Sequence, residues 1–363
     1  MFSGRAMNNT VCPSPGVPRS VVTMTITAQA VHQVARPSGF PSLSDFAFTE
    51  HVLDAPSPGT ALVENILLSV DPYMRELMDQ AGLPGGVSWW DLDAPLEGRT
   101  IGRVLTSAAP SLAPGDLVLH RKGWRTHALV EASTVRVLPR YAGVPLTAYL
   151  SVLGGTGLTA YVALTRTLRL QPGEDLFVSA AASGVGTAVG QFSRLMGAGR
   201  IVGSVGSPVK VKRLVEDLGF DAAFDYHDGP VSDLLASAAP DGLDAAVENV
   251  GGDHLEAAIG SLRDFGRIAW VGAIAQYHSL DTPPPAPRNL FDVVGKSLRL
   301  EGVLVRDHND AQSLLEDFAV PHIRSGALVP QETVVDGFEN MAAAFLGALR
   351  GENMGKMIVR AGE

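Results

Sequence analysis

Midway along the chain, an apolar run, Leu176-Phe177-Val178, breaks into Ser179-Ala180-Ala181-Ala182-Ser183-Gly184-Val185-Gly186-Thr187. It resumes with Val185, Val189, Phe192 and Met196 at helical spacing. A strand, a tight turn and a helix start in that order leave free backbone N–H groups where a pyrophosphate can sit. Gly184 is expected to permit the turn and Gly186 to let backbone approach phosphate. The third glycine, Gly190, falls one position later than strict G-x-G-x-x-G spacing. The position of this turn constrains the chain more than its spacing does. A nucleotide fold that begins near residue 175 leaves room for a complete module ahead of it.

The two halves differ in rhythm. Before residue 150 the apolar runs are short and broken by Gly and Pro: 61–70, 100–105, and 116–120 after Pro114-Gly115. Short strands at that spacing predict a compact β module. From Asp175 onward strands alternate with helices. Strands are expected at 200–205, 222–225, 243–248, 267–271 and 298–302, with a helix over 209–218 ended by Gly219. That alternation predicts a doubly wound α/β unit with a parallel sheet. A helix and a strand within 334–359 are expected to return to the first module. A chain of 363 residues accommodates both cores. The expected division is a substrate domain over 24–150 and 325–363 and a nucleotide domain over 151–324. Residues 1–23, which carry Pro but no apolar segment, are expected to be a disordered extension, with patterned sequence starting at Met24.

Charge and cysteine content narrow the function. The net charge is −10, without a long basic run, which argues against nucleic acid as a partner. No apolar run approaches about 18 residues, so no membrane span is expected. Cys12 is the single cysteine. It excludes an internal disulfide and a cysteine-based zinc site, and it suits a reducing cytoplasm. The histidines are scattered without an H-E-x-x-H pair, so no metal is expected; His278 neighbours the candidate Tyr277.

The end of the second nucleotide-domain strand selects the cofactor. Enzymes that take NAD place a carboxylate there for the ribose 2′-OH. This chain has Gly203-Ser204-Val205-Gly206-Ser207-Pro208-Val209-Lys210, with no acid. Ser207 donates hydrogen bonds and Lys210 is cationic, so a 2′-phosphate, and hence NADP(H), is favoured. Lys212 and Arg213 are rivals for the same charge.

Several blocks together resemble the zinc-free medium-chain dehydrogenase/reductases, in the branch of the leukotriene B4 12-hydroxydehydrogenase/prostaglandin reductases and the alkenal double-bond reductases. They are Leu68-Ser69-Val70-Asp71-Pro72-Tyr73-Met74-Arg75, Gly157-Leu158-Thr159-Ala160-Tyr161, the glycine turn, and 218–226. Further on come Glu248-Asn249-Val250-Gly251-Gly252, Gly272-Ala273-Ile274-Ala275-Gln276-Tyr277, 337–341 and Gly351-Glu352-Asn353-Met354-Gly355-Lys356. The blocks run across nearly the whole chain after residue 24. The resemblance implies a GroES-like β domain joined to a Rossmann domain, NADP(H) in the cleft between them, and a homodimer. It implies pyrophosphate contacts at Gly184, Val185, Gly186 and Thr187, and 2′-phosphate contacts at Lys210 and Tyr226. It places Asn249, Gly272, Ala273, Ile274, Tyr277 and Asn353 along the ribose and nicotinamide, with Thr159 among the cofactor contacts. Val303, Leu304 and Val305 would border the nicotinamide or substrate.

The implied reaction is hydride transfer from NADPH to the β-carbon of an α,β-unsaturated carbonyl compound. It creates an enolate, whose oxygen a neutral phenol can hold. Tyr277, just past the Gly272 turn, is the first candidate and Tyr73 the second; the nicotinamide ribose hydroxyl is a third route. Water can deliver the proton. Two departures fall on the pocket wall: Gly154-Gly155-Thr156 replaces the family's frequent Gly-Met-Pro, and 291–297 lacks a tyrosine. The loop Ser88-Trp89-Trp90-Asp91 either walls an apolar pocket or packs inward. A small or medium apolar alkenal or enone is the expected substrate. Hydride-triggered cyclisation of a polyene precursor and non-catalytic NADPH binding are the alternatives.

Overall fold

The computed structural model describes residues 25–79, 89–277 and 285–362. The expected extension 1–23 with Cys12, and also Met24, Ser88 and His278, lie outside the described residues.

The short apolar runs of the first half become strands: β1 (Ile26–Gln33), β2 (Phe46–Leu53), β3 (Thr60–Ser69), β4 (Thr100–Ser107), β5 (Leu117–His120), β6 (His127–Glu131) and β7 (Arg136–Val137). β1 and β2 form an antiparallel hairpin. β3 pairs with β4 and with β6, so it has neighbours on both sides and is buried along most of its length.

The second half supplies β8 (Leu176–Val178), β9 (Ile201–Val205), β10 (Ala222–Asp225), β11 (Leu243–Glu248), β12 (Leu262–Trp270) and β13 (Arg299–Gly302). They form one parallel sheet in the order β10-β9-β8-β11-β12-β13. β8 and β9 are buried at every residue, as expected of parallel strands covered on both faces. The strand order reverses between β8 and β11, and in such sheets ligands bind off the carboxyl ends at that reversal. The helix Pro208–Asp217 starts where sequence chemistry requires: Pro208 occupies the first turn and Ser207 Oγ accepts from Lys210 N.

Two expectations differ in detail. β12 begins at Leu262, five residues before the run at 267–271. Its early part is irregular: Phe265 has φ 65°, and the register with β11 shifts between Leu243 and Ala245. The tail holds two strands, β14 (Glu332–Asp336) and β15 (Lys356–Arg360), around the helix Met341–Leu349. β15 pairs antiparallel with β3 and parallel with β14, which extends the first-half sheet to seven strands. Just ahead of β15, Gly355 N donates to Ala182 O at 2.8 Å, so the tail touches the glycine turn directly. An aromatic group of Phe46, Trp90, Trp124 and Phe345 fills the core on this side. No described helix is long and apolar enough to cross a membrane.

Candidate cofactor and active site

The glycine turn is built differently from its sequence reading. The left-handed residue is Ala180, at φ 47°, while Gly184 opens the helix Gly184–Leu195. A Cβ on Gly186 would lie 2.4 Å from Ala180 O and 2.6 Å from Ala181 Cα. Gly186 therefore allows the helix to sit on its own turn. Ser183 Oγ accepts from Gly186 N at 3.0 Å, and Thr187 N and Oγ1 both donate to Ser183 O at 2.9 Å. These bonds consume part of the first-turn donor set. Ser183 forms a parallel bridge with Gly355, and Gly184 and Val185 line a cavity at the helix start.

That cavity, about 1790 Å³, runs along the carboxyl edge of the parallel sheet and is walled on the other side by the first-half sheet. At one end stand Gly206, Lys210, Tyr226 and His254. Lys210 is half-buried, burial lowers its pKa, and its Nζ donates to Gly351 O. The Tyr226 ring lies between His227 and His254, with centroids at 4.1 and 5.4 Å. Along the middle, Asn249 is pinned by its N–H to Ser179 Oγ and its Nδ2 to Ser179 O, both at 2.7 Å. Thr159 donates to Gly155 O at 2.8 Å, and Asn353 Nδ2 to Gly355 O at 2.6 Å.

The far end holds Tyr73, Tyr277, Trp89, Val303, Leu304 and Val305. Burial, then the charge of Glu76, pushes the Tyr277 phenol up to about 12, against a hydrogen bond from the Ala273 backbone. Burial and Asp71 raise the Tyr73 phenol, opposed by Arg121 and Arg99. Both tyrosines are therefore neutral donors at physiological pH. The tryptophan pair divides its roles. Trp89 lines the cavity at 41% exposure, whereas Trp90, at 5%, also packs edge-on against Trp124 at 5.4 Å.

Of the residues singled out from sequence, the cavity brings together Tyr73, Thr159, Gly184, Val185, Lys210, Tyr226, Asn249, Gly272, Ile274, Tyr277, Val303, Leu304, Val305 and Asn353. Four stand behind its wall. Gly186 is packed on Ala180 and Ala181, and Thr187 turns its hydroxyl back to Ser183 O. Ser207 caps Lys210 N, and Ala273 meets the Tyr277 phenol through its backbone.

The structure adds an ion pair that the sequence pattern did not reveal. Lys356 Nζ lies 2.9 Å from Asp71 Oδ1 and donates to Val70 O, and Ser69 Oγ donates to Asp71 Oδ2 at 2.6 Å. Burial works against the Asp71 carboxylate, but Lys356 and Ser69 outweigh it and hold its pKa below the usual range. Both residues line the cavity near Tyr73. Among the described residues, no three His, Cys, Asp or Glu side chains gather to hold a metal ion.

Comparison with known proteins agrees with this architecture. Residues 29–138 match the family described as the N-terminal domain of oxidoreductase, and residues 184–319 match the one described as zinc-binding dehydrogenase. The chain is 37% identical to prostaglandin reductase 1 of Rattus norvegicus over 328 residues, covering 89% of this chain and 96% of that one. It is 35% identical to the NADP(+)-dependent 2-alkenal reductase of Nicotiana tabacum over 327 residues, covering 89% and 94%. The chain belongs to the medium-chain dehydrogenase/reductase family. Within it, this reductase falls in the branch of the prostaglandin and alkenal reductases. Its fold matches that of CurA from Vibrio vulnificus, solved with NADPH, with a TM-score of 0.86 at 29% identity, over 92% of this chain and 99% of that one. In this medium-chain reductase, Lys356 joins the two walls of the cleft. Its side chain holds the end of β3, and the residue before it, Gly355, holds the glycine turn.

Proposed function

We propose that the protein reduces the carbon–carbon double bond of α,β-unsaturated carbonyl compounds with NADPH, delivering hydride to the β-carbon. One observation carries this reading: a continuous cavity joins a cationic end at Lys210 to an end holding two neutral phenols. The cofactor is NADP(H). The residues fit it, since Gly184 and Val185 line the cavity at the helix start and the end of β9 carries no carboxylate. When bound, NADPH supplies the hydride, and NADP⁺ leaves.

Gly184 and Val185 would hold the pyrophosphate, and Lys210 and Tyr226 the 2′-phosphate. Asn249, Gly272, Ile274 and Asn353 would position the ribose and nicotinamide. As the β-carbon gains its C–H bond, the double-bond electron pair shifts onto the carbonyl oxygen. Tyr277 donates a hydrogen bond to that oxygen, with Tyr73 on the opposite wall as the second donor. Water then protonates the α-carbon, which balances the two-electron reduction. No metal takes part in this scheme, in keeping with the single cysteine. We further propose a homodimer and a cytoplasmic setting, the latter from the same cysteine usage.

The test is loss of NADPH absorbance on a panel of alkenals, enones, quinones and polyenes. Turnover of alkenals or enones with preference for NADPH over NADH is the expected result. No oxidation with any member would reduce the protein to an NADPH-binding module. Turnover confined to polyenes would favour the cyclisation chemistry.

A further inference from the structure

Two arginines at the phenol end of the cleft have no role in the scheme above. β4 and β5 pair Thr100 with His120, and Gly98 N donates to Arg121 O at 2.9 Å. Arg99 and Arg121 each stand one residue beyond the last pair of this ladder, and both line the cavity. Both charges act on the Tyr73 phenol, and the Arg121 side chain also hydrogen-bonds it. Like charges facing each other across neighbouring strands destabilise a sheet. The acids nearby do not relieve this. Asp71, which feels Arg99, is already held by Lys356 at 2.9 Å. Glu97 acts on Arg125, and the Glu76 carboxyl is raised by burial and by the charge of Asp79. Among the described residues, neither Arg99 nor Arg121 makes an ion pair with a carboxylate within 4.0 Å.

The departure at Gly155 belongs to the same arrangement. A Cβ there would sit 2.3 Å from Arg99 Nη1. A side chain at position 155 would push this guanidinium from its place, so Gly155 leaves room for the arginine where it stands. The anionic groups of the cofactor are accounted for at the other places, the glycine turn and Lys210.

We propose that Arg99 and Arg121 bind a carboxylate carried by the substrate, so that the preferred substrate is an enone bearing an acidic group. The inference rests on the enone-reductase reading above. Guanidinium groups suit the task because their planar forks match a carboxylate with two parallel hydrogen bonds. Trp89 and Leu77, on the same stretch of wall, supply apolar contact for the body of such a molecule.

The experiment compares benzylideneacetone with its para-carboxylate. In the wild type, kcat/KM for the carboxylate should exceed that for the neutral probe by about tenfold or more. Arg99→Gln and Arg121→Gln should each lower this ratio by about 10–100-fold, the range for a charge-assisted hydrogen bond, mainly through KM. Arg99→Lys should keep part of it. A ratio that both glutamine variants leave at the wild-type value overturns the proposal. So does an equal weakening of NADPH binding by titration of cofactor fluorescence, which would assign the arginines to the cofactor. If neither probe is reduced, the enone reading fails by itself. Calorimetric binding of the carboxylate probe to the NADP⁺-bound protein then decides the anion site: an affinity lost in the glutamine variants sustains it, and an unchanged affinity overturns it.

Discussion

At the scale of single residues, the cleft divides into groups that read the cofactor and groups that handle the reacting carbonyl. Lys210 is the cofactor-reading charge, placed at the start of its helix by the Ser207 cap. Lys210→Ala should raise KM for NADPH by about 10–100-fold and leave NADH nearly unchanged, since only a charge-assisted bond to the 2′-phosphate is lost. Steady-state kinetics with both cofactors checks this. Tyr277→Phe should lower kcat by about 10²-fold if its phenol holds the enolate. Because the phenol is pushed up to about 12, the wild-type rate should not fall through pH 10 from ionisation of this group. A pH–rate profile extended past pH 10 tests it. Glu248 makes a separate pH prediction. It is fully buried at the end of β11, where Oε1 accepts from Val250 N and Gly251 N at 2.7 Å. Its Oε2 has no partner among the described residues, and burial raises its pKa to about 7. The folded state therefore holds this proton more tightly than the unfolded chain does. Its contribution is greatest at low pH and is lost as pH rises from 4.5 to about 7, by on the order of 3 kcal/mol. Glu248→Gln should remove that part of the stability–pH curve, measured by denaturant unfolding at a series of pH values.

At the scale of elements, legibility followed locality. β10 and β11 were readable to the residue because each is a bounded apolar run beside turn residues. The start of β12 was not, because Phe265 takes a left-handed conformation in an otherwise extended segment, and periodicity does not report such a break. The cavity residues near the glycine turn were found because turn chemistry is local. Gly186 and Thr187 were assigned to phosphate, yet their donors are consumed by Ser183, a detail of cap geometry that spacing cannot show. Asp71 and Lys356 sat inside quoted motifs, but their pairing joins β3 to β15 across most of the chain and leaves no local signal. Removing one partner of a buried pair strands the other charge. Lys356→Met should cost about 3–5 kcal/mol, and adding Asp71→Asn should recover much of it. Thermal melts of the single and double variants measure the coupling. A double variant no more stable than the single one would mean that Lys356 acts through its bonds to backbone carbonyls instead.

At the scale of the whole molecule, the parallel sheet ends on a strand with one open side. Among the described residues, β13 pairs only with β12, and three of its four residues are exposed. Beside it stand Phe265, Phe291 and Val294, at 74%, 79% and 69% exposure. An open edge next to an apolar surface invites pairing with another chain. The sequence of the strand suits a second copy of itself. In antiparallel pairing about Leu300, Arg299 of each copy faces Glu301 of the other, so charges match across the two-fold axis. The proposed homodimer would then join two six-stranded sheets edge to edge. Val303, Leu304 and Val305 follow β13 directly into the cleft, so such an interface would steady the apolar end of each active site. Glu301→Arg should shift the protein toward monomer in sedimentation velocity by placing like charges opposite each other. Combining it with Arg299→Glu reverses both signs and should restore the dimer. A wild type that sediments as a monomer would refute the assembly. A dimer indifferent to both variants would place its interface elsewhere on the surface.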